Sequence, residues 1–195
     1  MVPNDKGQKE YTGNWKDNVK SQFGRMLYEN GDVFDGAWLN DMKNGTGKMD
    51  YQISEGIDTY IGLWKDDERS LAGIMTFADG GKYDGQWSNN KKNGQGLMQY
   101  ANMDIYDGTF VDDVKCGHGV FTYKGNVQKY EGQYLDDLKH GQGTMTDKDG
   151  DMYSGGWKLN QKYGHGTMKY NNGDLYEGLW DLDQKNGVGC MTFFN

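Results

Sequence analysis

Cysteine occurs twice in this sequence and histidine three times, and no stretch approaches the ~20 consecutive apolar residues that a membrane-spanning helix requires. Cys116 and Cys190 are too few for a disulfide framework; they read as incidental thiols of a reducing compartment. Basic residues are outnumbered: 21 Lys and Arg face 29 Asp and Glu, for a net charge of −8. Nucleic acid demands a basic footprint, so it is not an expected partner. The opening Met1-Val2-Pro3-Asn4-Asp5-Lys6 has no apolar core, and no signal peptide is expected. Hydrophobic residues make up 35% of the chain, low for a globular core, yet aromatics reach 14%. Few but large apolar side chains suit a thin array better than a packed ball.

What the chain does contain is repetition. An aromatic residue opens each of eight similar segments at Tyr11, Phe34, Tyr60, Tyr83, Tyr106, Tyr130, Tyr153 and Tyr176, at a step of 23 with two slips. Counting each segment from that residue, position 3 is always Gly, from Gly13 to Gly178, and position 14 is always Gly, from Gly24 to Gly189. Position 12 is Gly except at Gln22 and Leu71. Position 5 holds every tryptophan (Trp15, Trp38, Trp64, Trp87, Trp157, Trp180), with Phe110 and Tyr134 completing the column. Position 16 is Met in seven copies, among them Met49, Met98, Met145 and Met168, and Phe121 in the eighth. Such a period means supersecondary units that depend on their neighbours for stability. Residues 1–10 are a lead-in, and 11–195 form one continuous array.

The favoured positions lie two apart, which is strand spacing. Between the halves, Asp/Asn pairs such as Asp112-Asp113 are hairpin turns, and Asn30-Gly31-Asp32 or Asn172-Gly173-Asp174 make second turns at the joints. Centring the hairpin there pairs position 5 with 12, 3 with 14 and 1 with 16. Aromatic residues, Met and Gly then share one face, with the position-5 indole covering the glycines. Thr12, Asn14, Gln86, Gln95, Gln142 and Thr167 face water on the other. The expected fold is all-β: an elongated, single-layer, twisted antiparallel meander of some sixteen strands.

Tyr83-Asp84-Gly85-Gln86-Trp87 with Asn93-Gly94-Gln95-Gly96, and Tyr176-Glu177-Gly178-Leu179-Trp180 with Asn186-Gly187-Val188-Gly189, resemble MORN (membrane occupation and recognition nexus) repeats. The resemblance covers nearly the whole chain and implies a sheet with an aromatic groove. It also implies settings in which such proteins occur: cytoskeletal and ciliary assemblies, radial spokes included, or the regulatory segment of a larger enzyme.

The candidate sites follow the columns. Trp and Tyr dominate interface hot spots and Met adapts to irregular partners, so an aromatic face without a covering layer is a candidate groove for a helix or extended segment of a protein partner. Its residues are the eight at position 5, the four methionines named above, and Tyr83, Tyr106, Tyr130 and Tyr153. If so, truncating Trp87 or Trp157 weakens binding more than folding. The alternative is a peripheral membrane tether: position 10 is Lys or Arg in every copy, including Lys43, Lys92, Lys139, Lys162 and Lys185. Against this, the turn residues flanking that ladder bring its sum to −1, and anionic lipid attracts clustered, not neutralised, cations. No cofactor or metal is expected: His118 and His165 stand two repeats apart, roughly 19 Å by strand spacing, and His140 has no ligand cluster near it. Asp147-x-Asp149-Gly150-Asp151 echoes a calcium loop with its glycine too early and Lys158 where a bidentate Glu belongs. No nucleophile and base meet, so catalysis is not expected. Open terminal strands would invite a homodimer or pairing with a partner strand.

Overall fold

In the computed structural model, which describes residues 7–125 and 127–194, the chain is all antiparallel β-structure. It divides into two compact units, Met1–Gly94 and Gln95–Asn195. The first contains β1 (Gln8–Lys16), β2 (Val19–Tyr28), β3 (Val33–Leu39), β4 (Met42–Ile53), β5 (Gly56–Lys65), β6 (Glu68–Thr76), β7 (Lys82–Ser88) and the start of β8 (Lys91–Gln99). The second contains the end of β8, then β9 (Ile105–Val111), β10 (Val114–Thr122), β11 (Lys129–Leu135), β12 (Leu138–Thr146), β13 (Met152–Lys158), β14 (Gln161–Lys169), β15 (Leu175–Asp181) and β16 (Gln184–Thr192). The strands follow one another in chain order through one sheet. β1 starts at Gln8, within the segment read as a lead-in; residues 1–6 lie outside the described residues.

Each repeat is a hairpin closed by two residues of positive φ, for example Asp17 and Asn18 (49° and 64°) or Asp136 and Asp137 (50° and 66°). Turns of this kind match the right-handed twist of the strands, and Asn and Asp tolerate them best. In repeats 7 and 8 the first turn residue is Leu159 or Leu182, held at φ 50° and 47°.

The register corrects one expectation. Positions 3 and 14 pair (Gly13 with Gly24), as do 1 and 16 (Tyr11 with Met26), but position 5 pairs with 10 (Trp15 with Lys20). A bulge between them absorbs the difference. Position 12 turns instead to position 5 of the following repeat: Gln22 faces Trp38, Gly45 faces Trp64, and Gly164 faces Trp180. The bulge explains the glycine, because position 12 has positive φ in every repeat, including Gln22 (61°) and Leu71 (57°). Those two repeats therefore keep the geometry of the other six without their glycine.

A second correction concerns what covers the glycines. At positions 3 and 14 a Cβ would run into the facing glycine or into the ring of position 1, as at Gly24 beneath Tyr11 and Gly143 beneath Tyr130. The opening aromatic, not the indole, lies flat across the glycine pair.

Candidate functional site

The core is one column of rings on one face. Within each unit a position-1 ring meets the position-5 ring of its own repeat edge-on, and that of a following repeat likewise: Tyr60 stands 5.2 Å from Trp64 and 5.3 Å from Trp87, with interplanar angles of 90° and 82°. The pattern continues through Tyr130 with Tyr134 and Trp157, and Tyr153 with Trp157 and Trp180. Edge-to-face pairs add ~0.5–1.5 kcal/mol beyond area burial. The polar atoms of the rings are bound as well. The hydroxyl of Tyr60 donates to the carbonyl of Leu63 (3.0 Å), and that of Tyr153 to Gly156 (2.9 Å). Each described indole except the first donates back to the position-14 glycine carbonyl of the preceding repeat: Trp38 to Gly24, Trp64 to Gly47, Trp87 to Gly73, Trp157 to Gly143 and Trp180 to Gly166.

This packing changes what the candidate groove residues are. Trp38, Trp64, Trp87, Phe110, Tyr134, Trp157 and Trp180 are buried, as are Tyr83, Tyr106, Tyr130, Tyr153, Met49, Met98 and Met168. The sequence suggests an exposed aromatic face; neighbouring repeats cover it instead, because the ring of each copy lies across the next. Trp15, with no repeat before it, is 59% exposed. What remains accessible on this face belongs to positions 16 and 18: Met145, Phe121, Tyr51, Phe77, Tyr100, Tyr123 and Tyr170 are half-buried. Phe121 lies 4.7 Å from Tyr123 and 5.9 Å from Tyr100, forming an aromatic cluster in the second unit. Burial raises the Tyr100 and Tyr123 phenols, helped by Asp104 at both and by Asp137 at Tyr100.

The position-10 cations also point inward. The Lys20 ammonium lies 4.7 Å from the Trp38 ring, Lys43 4.8 Å from Trp64, Lys139 4.3 Å from Trp157, and Lys162 4.9 Å from Trp180. Lys92 lies 5.7 Å over Tyr83, and the exposed Lys185 4.6 Å over Tyr176. Desolvation lowers the Lys139 pKa, with Asp183 opposing and Lys162 adding to the effect. Lys43 and Lys115 stand 3.8 Å from Asp67 and Asp137. Apart from the exposed Lys185, the ladder sits over aromatic faces as cation–π contacts, not in a row presented to solvent.

Sequence reasoning missed two columns of carboxylates and amides that tie repeat to repeat. The second hairpin residue, always Asp or Asn, accepts from the position-10 amide of the preceding repeat: Lys20 to Asp41 (2.8 Å), Lys43 to Asp67 (2.9 Å), Arg69 to Asn90 (2.8 Å), Lys139 to Asn160 (2.8 Å). Its own amide returns a bond to the same residue's carbonyl, as from Asp41 to Lys20 (3.2 Å). At the other end of the hairpins, Asp32, Asp58, Asp104, Asp151 and Asp174 each accept a backbone amide twenty residues on, from Gln52, Ala78, Lys124, Asn171 and Phe194. The residue types were visible; a constant Asp or Asn looked like turn chemistry, and only the register shows it reaching the next turn.

The reverse face holds the expected polar residues, with Thr12, Asn14, Gln86, Gln95 and Gln142 exposed and Thr167 half-exposed. In the first unit it also carries a shallow hollow of about 360 Å³ lined by Phe23, Ile61 and Leu63 over Gly36, Gly47 and Gly62. Cys116 and Cys190 are free thiols. The Asp147 carboxylate, the start of the calcium-like segment, accepts the amides of Asp149 and Asp151 as a turn residue does. No group of His, Cys, Asp and Glu suited to a metal occurs among the described residues.

Comparison with curated proteins gives no match. Among solved structures, the chain is similar to the TCP10 domain of Danio rerio CPAP in complex with a STIL peptide: 11% identity, TM-score 0.46, covering 81% of this chain and 68% of that one. It is also similar to the TCP domain of Drosophila melanogaster SAS-4 in complex with a proline-rich motif of Ana2: 16% identity, TM-score 0.38, covering 89% and 84%. The MORN repeat model matches residues 11–33, 34–53, 60–82, 83–102, 106–126, 130–152, 153–175 and 176–195. With the ring columns, glycine pairs and hairpins of all eight copies accounted for, the chain belongs to the MORN repeat family.

Proposed function

We propose that this protein is a non-enzymatic scaffold that binds a helix or extended segment of a protein partner along its aromatic and methionine face. The observation that carries the reading is the set of half-exposed rings at position 18 (Tyr51, Phe77, Tyr100, Tyr123, Tyr170), with Phe121 and Met145 at position 16, beside the fully buried rings. A rigid floor costs no reordering on binding, and half-exposed Tyr, Phe and Met supply adaptable apolar contact. The buried Trp column underlies this surface, and the partner meets its rim. The MORN resemblance supports a cytoskeletal or ciliary setting, which is part of the proposal. The membrane-tether alternative depends on the position-10 cations, and their engagement with rings and turn carboxylates favours the protein-binding reading.

Panning a displayed library of helical and extended peptides against the protein tests the reading. Selected peptides are expected to lose at least tenfold in affinity on Tyr100→Lys or Tyr123→Lys and to be indifferent to Gln95→Lys on the reverse face. Peptides that ignore the first two substitutions and respond to the third would sink it.

A further inference from the structure

Wherever the later repeat carries a tryptophan, the junction between consecutive repeats is made by one set of complementary groups, and the edge strands β1 and β16 each carry half of that set. The earlier repeat supplies its position-14 glycine carbonyl, its position-10 backbone amide and carbonyl, and its position-10 cation. The later repeat supplies an indole N–H, the side-chain oxygen and amide of its second turn residue, and the face of its position-5 ring. Repeats 7 and 8 show the full pattern: Trp180 donates to Gly166 (3.2 Å), Lys162 donates to Asp183 (2.8 Å), Asp183 donates back to Lys162 (3.3 Å), and the Lys162 ammonium covers the Trp180 ring.

At the β1 edge the later-repeat half stands ready. Trp15 is 59% exposed where its buried equivalents are about 4–5% exposed, and Asn18 occupies the acceptor position with φ 64°, the conformation of Asp41 and Asp183. At the β16 edge the earlier-repeat half stands ready in Lys185, Gly187 and Gly189, on a strand exposed along nearly its whole length. No strand pairs with the outer side of β1 or β16 among the described residues.

We infer that β16 of one copy receives β1 of a second copy, head to tail, in the register that joins β14 to β15. That register sets Gly166 against Gly178, Met168 against Tyr176 and Gly164 against Trp180. Transferred to the junction it sets Gly189 against Gly13, Met191 against Tyr11 and Gly187 against Trp15, and the residue types are those of the internal pairs. Trp15 donates to the Gly189 carbonyl, the Lys185 amide donates to the Asn18 side chain, and the Lys185 ammonium moves onto the Trp15 ring. Open strand edges template pairing with another chain, and a heterologous contact of this kind adds further copies unless the rotation closes a ring. The occupant is a second copy because the two halves complement each other and neither complements itself: two β1 edges offer only the later-repeat set, two β16 edges only the earlier one. This assembly does not depend on the aromatic rim or on any partner held there.

Sedimentation velocity of the whole 195-residue chain across a wide concentration range is the test. The mass is expected to rise with concentration from 22.1 kDa to twice that value or more. Trp15→Glu removes the β1 half and Lys185→Glu the β16 half, both at exposed sites, and each alone is expected to weaken association at least tenfold with unchanged circular dichroism. Asn18→Gly, which keeps the turn, weakens it less. Mixing the first two variants leaves one good edge on each, so the mixture is expected to stop at a species of twice the monomer mass. A parent that stays monomeric at several hundred micromolar overturns the proposal. So does a parent that associates while the mixed variants remain monomeric, which would show that the two edges do not complement each other.

Discussion

At the residue scale, the same sequence column carries different burdens in different copies. Position 12 needs positive φ whatever stands there, and Leu71 and Gln22 accept a conformation that costs an L-residue roughly 1–2 kcal/mol. Leu159 and Leu182 do the same at the first hairpin position, with their side chains largely exposed and so little burial to offset the strain. Leu71→Gly, Leu159→Asn and Leu182→Asn are each expected to raise stability by about 0.5–1 kcal/mol, read as an upward shift of the thermal midpoint; an unchanged or lowered midpoint contradicts the strain argument. The tryptophans separate in the other direction. Trp87 and Trp157 are buried, ring-packed and hydrogen-bonded to the preceding repeat, so Trp87→Ala or Trp157→Ala should cost ~3–5 kcal/mol in urea unfolding. Trp15→Ala should cost far less, because most of that indole already meets water. This reverses the sequence expectation that Trp87 serves binding before folding. Burial depends on the ring of the preceding copy, which a single repeat does not display.

At the scale of the element, the hairpin was readable and the junction was not. Period-two spacing, paired Asp/Asn turns and invariant glycines were enough to place the strands and the turn. The bulge, which in the first repeat sets Asn14 against Ser21, Gln22 and Phe23, was hidden, because a glycine at position 12 fits an ordinary pair as well as a positive φ. The turn-to-turn bonds were hidden for a related reason: Asp and Asn serve both as residues that tolerate the left-handed region and as acceptors for the next amide. The two roles can be separated by substitution. Asp137→Gly keeps the turn and removes the acceptor for Lys115, and should destabilise by about 1–2 kcal/mol. Asp137→Asn should be nearly neutral, since Asn90 and Asn160 already fill this place. Amide hydrogen exchange at Lys115 checks it directly, with protection lost in the glycine variant and retained in the asparagine one. Equal protection in both would show that the carboxylate is only a turn former.

At the scale of the whole molecule, stability is a sum of like terms, each repeat contributing one ring stack and its ties to the next. The phenols make this sum pH-dependent in a direction the structure fixes. Burial raises Tyr28, Tyr60, Tyr106, Tyr130 and Tyr134 well above the ordinary value of 10.0, and Tyr153 to about 12, with nearby carboxylates assisting at several of them. A group whose folded pKa lies above its unfolded value favours the fold fully below the unfolded value, and that contribution is lost as pH climbs toward the folded one. Lys139, lowered by desolvation, works the opposite way, gaining stability as it loses its proton, but it is one group against these phenols in both units. Stability should therefore decline from about pH 10 upward, and tyrosinate absorbance should rise late and together with the loss of β-sheet circular dichroism. Replacing Tyr130 by Phe removes one titrating group at the cost of its hydroxyl bond to Gln133, and should make the alkaline decline shallower while lowering stability slightly at neutral pH. Phe34 shows that the position accepts a ring without the hydroxyl. If the tyrosines ionise near pH 10 in a chain that keeps its circular dichroism, the rings are open to solvent, and the buried column that supports the scaffold surface is wrong.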